Sequence, residues 1–344
     1  MGSLPGPSTT LAAALHLPSN TTRRTSAVLL GLLAFTVTAV ADASACVRPY
    51  SDRSPWNTRV PGGARIDPAS AAHMRAIQGP LSSDPSQYTY PVYRVSAATP
   101  RVEVSVSGWF SDVTSRGTRL RNQRGGTVRL PIPARAAAAA GTDAQLVLVN
   151  PSTRAEWGVW RLRRDAGRWA VANGYRYNTR WSGVPPRGFV SRGAGIPYLA
   201  GLVRRCEIAR GRINHALAFA YDYPSPRWVY PATKSDGKGR GPGALPEGTR
   251  LQLNPRLSAA RIRGWGCRGP CLTIARALQR YGMYVVDNSG RPKIMLEYEG
   301  TARWNGVVDS RTVSPIPLRA FRVIARNRRV GSRFDAVSRL ESLR

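Results

Sequence analysis

Ile213-Asn214-His215-Ala216-Leu217-Ala218-Phe219-Ala220-Tyr221 alternates without a break: Ala216, Ala218 and Ala220 fall on one side, His215, Leu217, Phe219 and Tyr221 on the other. A period of two marks a strand, because successive side chains point to opposite faces. One face carries only methyl groups, so another layer can approach it closely. Working outward, the same alternation predicts strands over residues 88–95, over 101–109 through Val102, Val104 and Val106, and over 127–132. Residues 145–150 and 156–162 are predicted to form a hairpin across Asn150-Pro151-Ser152, and 283–287 and 293–298 another across Asn288-Ser289-Gly290. Residues 251–253 add a short strand. Helical spacing is confined to 68–77, 197–208 and 270–281, the last with Leu272, Ala275, Leu278 and Tyr281 on one face and Gly282 as its stop. The pattern predicts a mainly β chain: a single β-sandwich or jelly-roll-like domain with a few short helices over residues 46–325, its polar lead-in pinned by Trp56.

The ends of the chain read differently. Arg23 and Arg24 precede an uncharged apolar run, 27–40, that closes on Ala43-Ser44-Ala45, the parts of a signal peptide over residues 1–45. That run is short for a membrane span, and no later run is longer, so no transmembrane segment is expected after cleavage. Ala43 stands where a lipidation site usually has Leu, which makes lipidation of Cys46 the weaker reading. Residues 326–344 form a basic tail. The expected location is outside the cytoplasm, secreted or on the cell surface. Four cysteines in such a chain favour disulfides. The preferred pairing is Cys267 with Cys271, which share one tight turn, and Cys46 with Cys206. No metal site is expected, because His73 and His215 add to the thiols at no zinc spacing.

The formal charge is +32, and the only lysines are Lys234, Lys238 and Lys293. A field of that size attracts polyanions, and arginine forks suit carboxylates. Acidic polysaccharide or a cell-wall polymer is therefore the expected partner. Dispersed arginines without a recognition motif make nucleic acid the weakest partner class. No phosphate-binding loop, dinucleotide fingerprint, nucleophile elbow or zinc-protease helix occurs, and no cofactor is expected.

The candidate catalytic residues are His215 as base or acid, Tyr221 as its partner on the same strand face, and Asp143 as the orienting carboxylate. Candidate substrate-binding residues are Asn214 beside the histidine and Lys234 and Asp236 in the Gly-rich loop 234–249, where binding loops often sit. The chemistry expected of them is lyase or glycoside-hydrolase action on an acidic glycan. A non-catalytic wall-binding or glycan-binding role is the alternative.

The stretches Pro55-Trp56-Asn57, Gly195-Ile196-Pro197-Tyr198-Leu199-Ala200-Gly201-Leu202, His215-Ala216-Leu217-Ala218-Phe219, Pro231-Ala232-Thr233 and Arg280-Tyr281-Gly282 with Val285-Val286-Asp287-Asn288 resemble a group of secreted bacterial β-rich proteins of unassigned activity. The resemblance covers most of residues 50–325 and implies one β-rich domain. Similar sequences carry histidine where this chain has Gln145 and Lys234; His215 carries over unchanged.

Overall fold

The computed structural model describes residues 48–113 and 120–325, all within the compact unit Ala43–Arg344. The expected signal peptide, Cys46 and the basic tail lie outside the described residues. The described chain is mainly β, with short helices and no sheet closed into a barrel.

The decisive stretch forms the strand Leu217–Tyr221 near one edge of a five-stranded sheet. Its order is Lys293–Ile294, Leu217–Tyr221, Met283–Asn288, Arg250–Leu253, Phe321–Val323. The two faces of Leu217–Tyr221 go where the alternation sends them. Leu217, Phe219 and Tyr221 join an apolar cluster with Met74 of helix Ser70–Ala76 and Ile77 just after it, Ile262 of helix Ala259–Gly264, and Leu272, Ile274 and Leu278 of helix Pro270–Arg280. Ala216, Ala218 and Ala220 join a second cluster rich in aromatic rings, with Tyr175, Tyr177, Phe189 and Tyr198.

Tyr175 and Tyr177 belong to a six-stranded sheet ordered Val92–Arg94, Leu146–Asn150, Ala155–Trp160, Asn173–Asn178, Trp109–Val113, Leu120–Arg124. Val147 of this sheet faces the aromatic cluster, while Leu146 and Leu148 face a third cluster. That third cluster includes Val104, Val106, Leu130 and Val171 from a four-stranded sheet, Thr127–Leu130, Val102–Val106, Arg168–Val171, Arg163–Asp165. The order of layers is therefore helices, five-stranded sheet, six-stranded sheet, four-stranded sheet. Leu217–Tyr221 has an apolar cluster on each side, which is why it is buried throughout.

The details expected from the sequence are met in part. The hairpin at 150–156 forms, with Asn150 opposite Ala155. The one expected across 288–290 does not, because Leu217–Tyr221 lies between its arms, parallel to Met283–Asn288 and antiparallel to Lys293–Ile294. The helix expected over 197–208 shrinks to Arg205–Ala209, since Gly201 sits at φ +71° and ends any helical run before it. Cys267 and Cys271 form the expected disulfide. Cys206 is also disulfide-bonded, and its expected partner Cys46 falls outside the described residues.

The methyl face receives the chain it makes room for. Ala218 N–H donates to Gly201 O at 2.9 Å, Ala216 N–H donates to Trp56 O at 2.6 Å, and Trp56 is 1% exposed, which pins the lead-in as expected. A Cβ on Gly201 would meet Ala218 N at 2.4 Å and the Leu217 carbonyl carbon at 2.7 Å. Gly201→Ala should therefore cost about 2–4 kcal/mol in urea unfolding, strain and overlap together. Gly211→Ala, at φ +63° with open space around it, should cost only the strain, about 1–2 kcal/mol.

Candidate functional site

Where the glycine ribbon after Arg192 crosses the end of the five-stranded sheet, three carboxylates meet. Asp287 is the penultimate residue of Met283–Asn288, Glu247 ends the two-residue strand Pro246–Glu247, and Asp236 comes from the Gly-rich loop. One oxygen of each lies within 4.8 Å of the others. Backbone bonds hold them there: Gly193 N–H donates to Asp287 Oδ1 at 3.2 Å, Ala194 N–H to Val286 O at 2.9 Å, and Gly248 N–H to Val285 O at 2.7 Å. Glycine at 193 is required, because a Cβ would stand 2.3 Å from Asp236 Oδ1 and 2.7 Å from Glu247 Oε1.

Glu247 is fully buried, and neither of its carboxylate oxygens accepts a hydrogen bond. Burial first, then the charges of Asp287 and Asp236, push its pKa up to about 10 against the opposing pull of Lys234. Its carboxyl is thus protonated at neutral pH and faces Asp236 as a donor. Asp287 is half-buried; burial and then the charge of Asp236 raise it to about 7, opposed by Arg192 and by the N–H groups of Gly193 and Asn288. Asp236 is exposed. Oxygen donors suit a hard cation such as calcium, but calcium takes about 6–8 of them. With Arg192 and Lys234 already supplying positive charge, protons balance the cluster.

Asp287 also opens on a crevice of about 460 Å³ that holds Asp84, Tyr88, Tyr90, Asp143, Gln145 and Lys293. Buried Lys293 donates from Nζ to Gln87 O and Tyr88 O, each at 2.8 Å; burial lowers its pKa to about 8 against the pull of Asp84 and Asp143. Arg192, 3% exposed, lies 4.7 Å over the Tyr90 ring and donates to Ala200 O and Tyr198 O. In a chain of net charge +32 with nineteen acidic residues, five of those acids gather in this one region.

The catalytic set expected from the sequence is not brought together. His215 is 3% exposed, its Nε2 2.9 Å from Glu207 Oε1 and its Nδ1 2.9 Å from Ala216 O, so both ring nitrogens are occupied. Burial would raise Glu207, but His215 and Arg204 outweigh it and hold that carboxyl at about 2. Tyr221 shares the strand face of His215, yet six residues at ~3.3 Å each separate them by roughly 20 Å. Its hydroxyl donates to Gly243 O and accepts from Leu245 N–H, both at 2.7 Å. Asp143 orients no histidine; it accepts from Trp160 Nε1 and Gln145 Nε2 at 3.1 Å each, in the crevice. Asn214 is tied by its backbone oxygen to Arg48 at 3.3 Å. Lys234 and Asp236 do reach the carboxylate cluster. Sequence reasoning missed Glu247, Arg192 and Lys293, and placed Asp287 at the end of a strand without giving it a role. The available signal was the scarcity of acids, which makes a lone Glu between Pro246 and Gly248 conspicuous.

Comparison with known proteins finds no matching family model, no matching curated protein and no matching solved structure.

The proton on Glu247 has a thermodynamic consequence. Its folded pKa of about 10 lies above its ordinary value of 4.5, so the folded state keeps a proton that the unfolded chain releases. The stability this provides is whole below pH 4.5 and is lost as pH rises towards 10. Asp287 and Glu297, both raised to about 7, add to the loss up to that pH, and Lys293, lowered to about 8, opposes it only above 8, so Tm should fall between about pH 5 and pH 8. Glu247→Gln should flatten the fall and raise Tm at pH 9 by several degrees, as measured by calorimetry.

Proposed function

We propose that the protein is a secreted glycoside hydrolase acting on an extracellular polysaccharide that bears acidic groups. The observation that carries this reading is the pairing of exposed Asp236 with crevice-facing Asp287, oxygens within 4.8 Å, backed by a buried protonated Glu247. Retaining glycosidases place their two carboxyl groups about 5–5.5 Å apart. Asp287, titrating near neutrality, is the general acid: it protonates the glycosidic oxygen as the bond to the anomeric carbon breaks. Asp236 attacks that carbon from the other side, forming a glycosyl ester. Water then attacks the anomeric carbon, giving its proton to Asp287 as the bond to Asp236 breaks and frees that carboxylate. Glu247 is a positioning residue whose O–H holds Asp236. The crevice beyond Asp287 receives the sugar, and Gln145 and Lys234, the positions at which resembling sequences carry histidine, stand at the crevice and the cluster.

Hydrolysis fits better than β-elimination. A lyase needs a base for the C5 proton and a cation for the uronate carboxylate at the reacting sugar. Burial raises the Tyr90 phenol, Lys293 is committed to two carbonyls, and the acids there repel a carboxylate. The acidic groups of the polymer belong instead on the arginine-rich surface around the site. Export is supported by the leader-like start and by the disulfide-bonded state of Cys206, Cys267 and Cys271, the cysteines among the described residues. The +32 charge also favours a second reading, a non-catalytic wall-binding protein.

Purified protein should release new reducing ends from at least one polysaccharide in a panel of acidic and neutral wall glycans, with EDTA leaving the rate unchanged. Asp287→Asn and Asp236→Asn should each lower the rate by about 10²–10⁴, and the wild-type rate should fall as pH rises through about 7, where Asp287 loses its proton. His215→Ala should lower Tm without moving that pH profile. Retention on walls with no cleavage of any panel member would overturn the hydrolase in favour of the second reading.

A further inference from the structure

The far end of the five-stranded sheet carries three arginines around a second hollow. A cavity of about 420 Å³ is lined by Asn254, Arg256, Leu257, Arg319, Phe321 and Arg322, among others. Arg322 Nε and Nη2 both donate to Gln252 Oε1, at 3.0 and 2.7 Å, across the paired strands Arg250–Leu253 and Phe321–Val323. That pair of bonds fixes the guanidinium plane and leaves Nη1 without a hydrogen bond among the described residues. Burial, then the charge of Arg256, hold Arg322 below its ordinary pKa, which marks two cations facing one space. Among the described residues no carboxylate lies within ion-pair distance of Arg256, Arg319 or Arg322. Three guanidinium groups around one hollow without a counter-charge call for an anion from outside.

The shape says which anion. Leu257, Ala320 and the buried ring of Phe321 give the hollow an apolar wall, and a fixed planar fork meets a planar carboxylate through two parallel hydrogen bonds. The hollow is large enough for a sugar ring. Its distance from the carboxylates follows from the strand register. Leu251 is opposite Met283, so Asn254 and Asp287 lie at opposite ends of the antiparallel pair. Seven residue steps at ~3.3 Å put them roughly 23 Å apart along the strands.

We propose that the hollow at Asn254, Arg256, Arg319 and Arg322 is a binding subsite for a carboxylate-bearing sugar residue of an acidic polysaccharide, remote from the carboxylate cluster. It rests on the reading of the partner as an acidic glycan, and it holds whether or not the protein cleaves that glycan. Its role is to anchor the polymer so that a distant bond reaches Asp236 and Asp287.

The test is equilibrium binding of the full chain to polygalacturonate by calorimetry, at fixed salt. Polygalacturonate methyl ester and poly(glycerol phosphate) serve as comparison polymers. Arg256→Gln with Arg319→Gln should weaken polygalacturonate binding by about tenfold or more, the scale of losing charged hydrogen bonds. The exposed pair Arg163→Gln with Arg168→Gln, on the four-stranded sheet, removes the same charge and should change affinity by less than about twofold. Methyl esterification should abolish the difference between the two variants. Equal weakening by both pairs would overturn the subsite in favour of diffuse attraction. Poly(glycerol phosphate) bound as tightly as polygalacturonate, with the same sensitivity to Arg256 and Arg319, would overturn the carboxylate assignment. Cleavage is read in a separate assay, so its absence leaves every binding comparison intact.

Discussion

A strand with nothing larger than a methyl group on one face is the constraint from which the middle of this protein follows. Ala216, Ala218 and Ala220 let the aromatic rings of the second cluster lie close against the sheet, and Gly201 and Trp56 accept hydrogen bonds from the backbone of the same strand. The ribbon that ends at Gly201 begins at Arg192, so the contact that seats one end of it delivers the other end, Gly193, to Asp287. The carboxylate cluster is therefore a product of close packing several residues away. Larger residues on the methyl face would push the ribbon outward and take the Gly193 donor away from Asp287.

The same packing creates a buried electrostatic relay between layers. Glu156, on the six-stranded sheet, is fully buried and accepts from Tyr50 Oη at 2.7 Å, Tyr175 Oη at 2.6 Å and Leu199 N–H at 3.1 Å. Burial raises its pKa, opposed by those bonds and by Arg192. Arg192 opposes the rise at Asp287 as well. One guanidinium thus moderates a carboxylate that ties the six-stranded sheet to the lead-in and to the ribbon, and a carboxylate that faces the crevice. An unpaired buried charge is costly, and this arrangement spreads a single cation over two acids.

The sequence made the strands legible where one period ran long enough: 145–150 with 156–162 and 127–132 appear close to their expected bounds, while 213–221 contracts to Leu217–Tyr221. It failed where pairing is decided by a third segment, as with the arms around 288–290, because local alternation identifies a strand without naming its neighbour. The site was half legible. Lys234 and Asp236 stood out in a loop of glycine and proline. Glu247 did not, because a two-residue strand has no period, and Arg192 was one arginine among many. His215 attracted attention by its chemistry, yet its position between apolar neighbours on a buried face decided its role: it satisfies Glu207 in the core.

The register of the five-stranded sheet bears on the order in which the molecule can be assembled. Arg250–Leu253 pairs with Phe321–Val323, and Leu217–Tyr221 waits for both Met283–Asn288 and Lys293–Ile294. Each of these pairings closes a loop of tens of residues before any contact rewards it, and such topologies fold slowly. The last strand of the sheet lies close to the end of the described chain. A polypeptide emerging from a pore with its amino end first must hold its alanine-faced strand uncovered until nearly all of its length has passed. The sheet reaches its full width only when this late strand is available to pair.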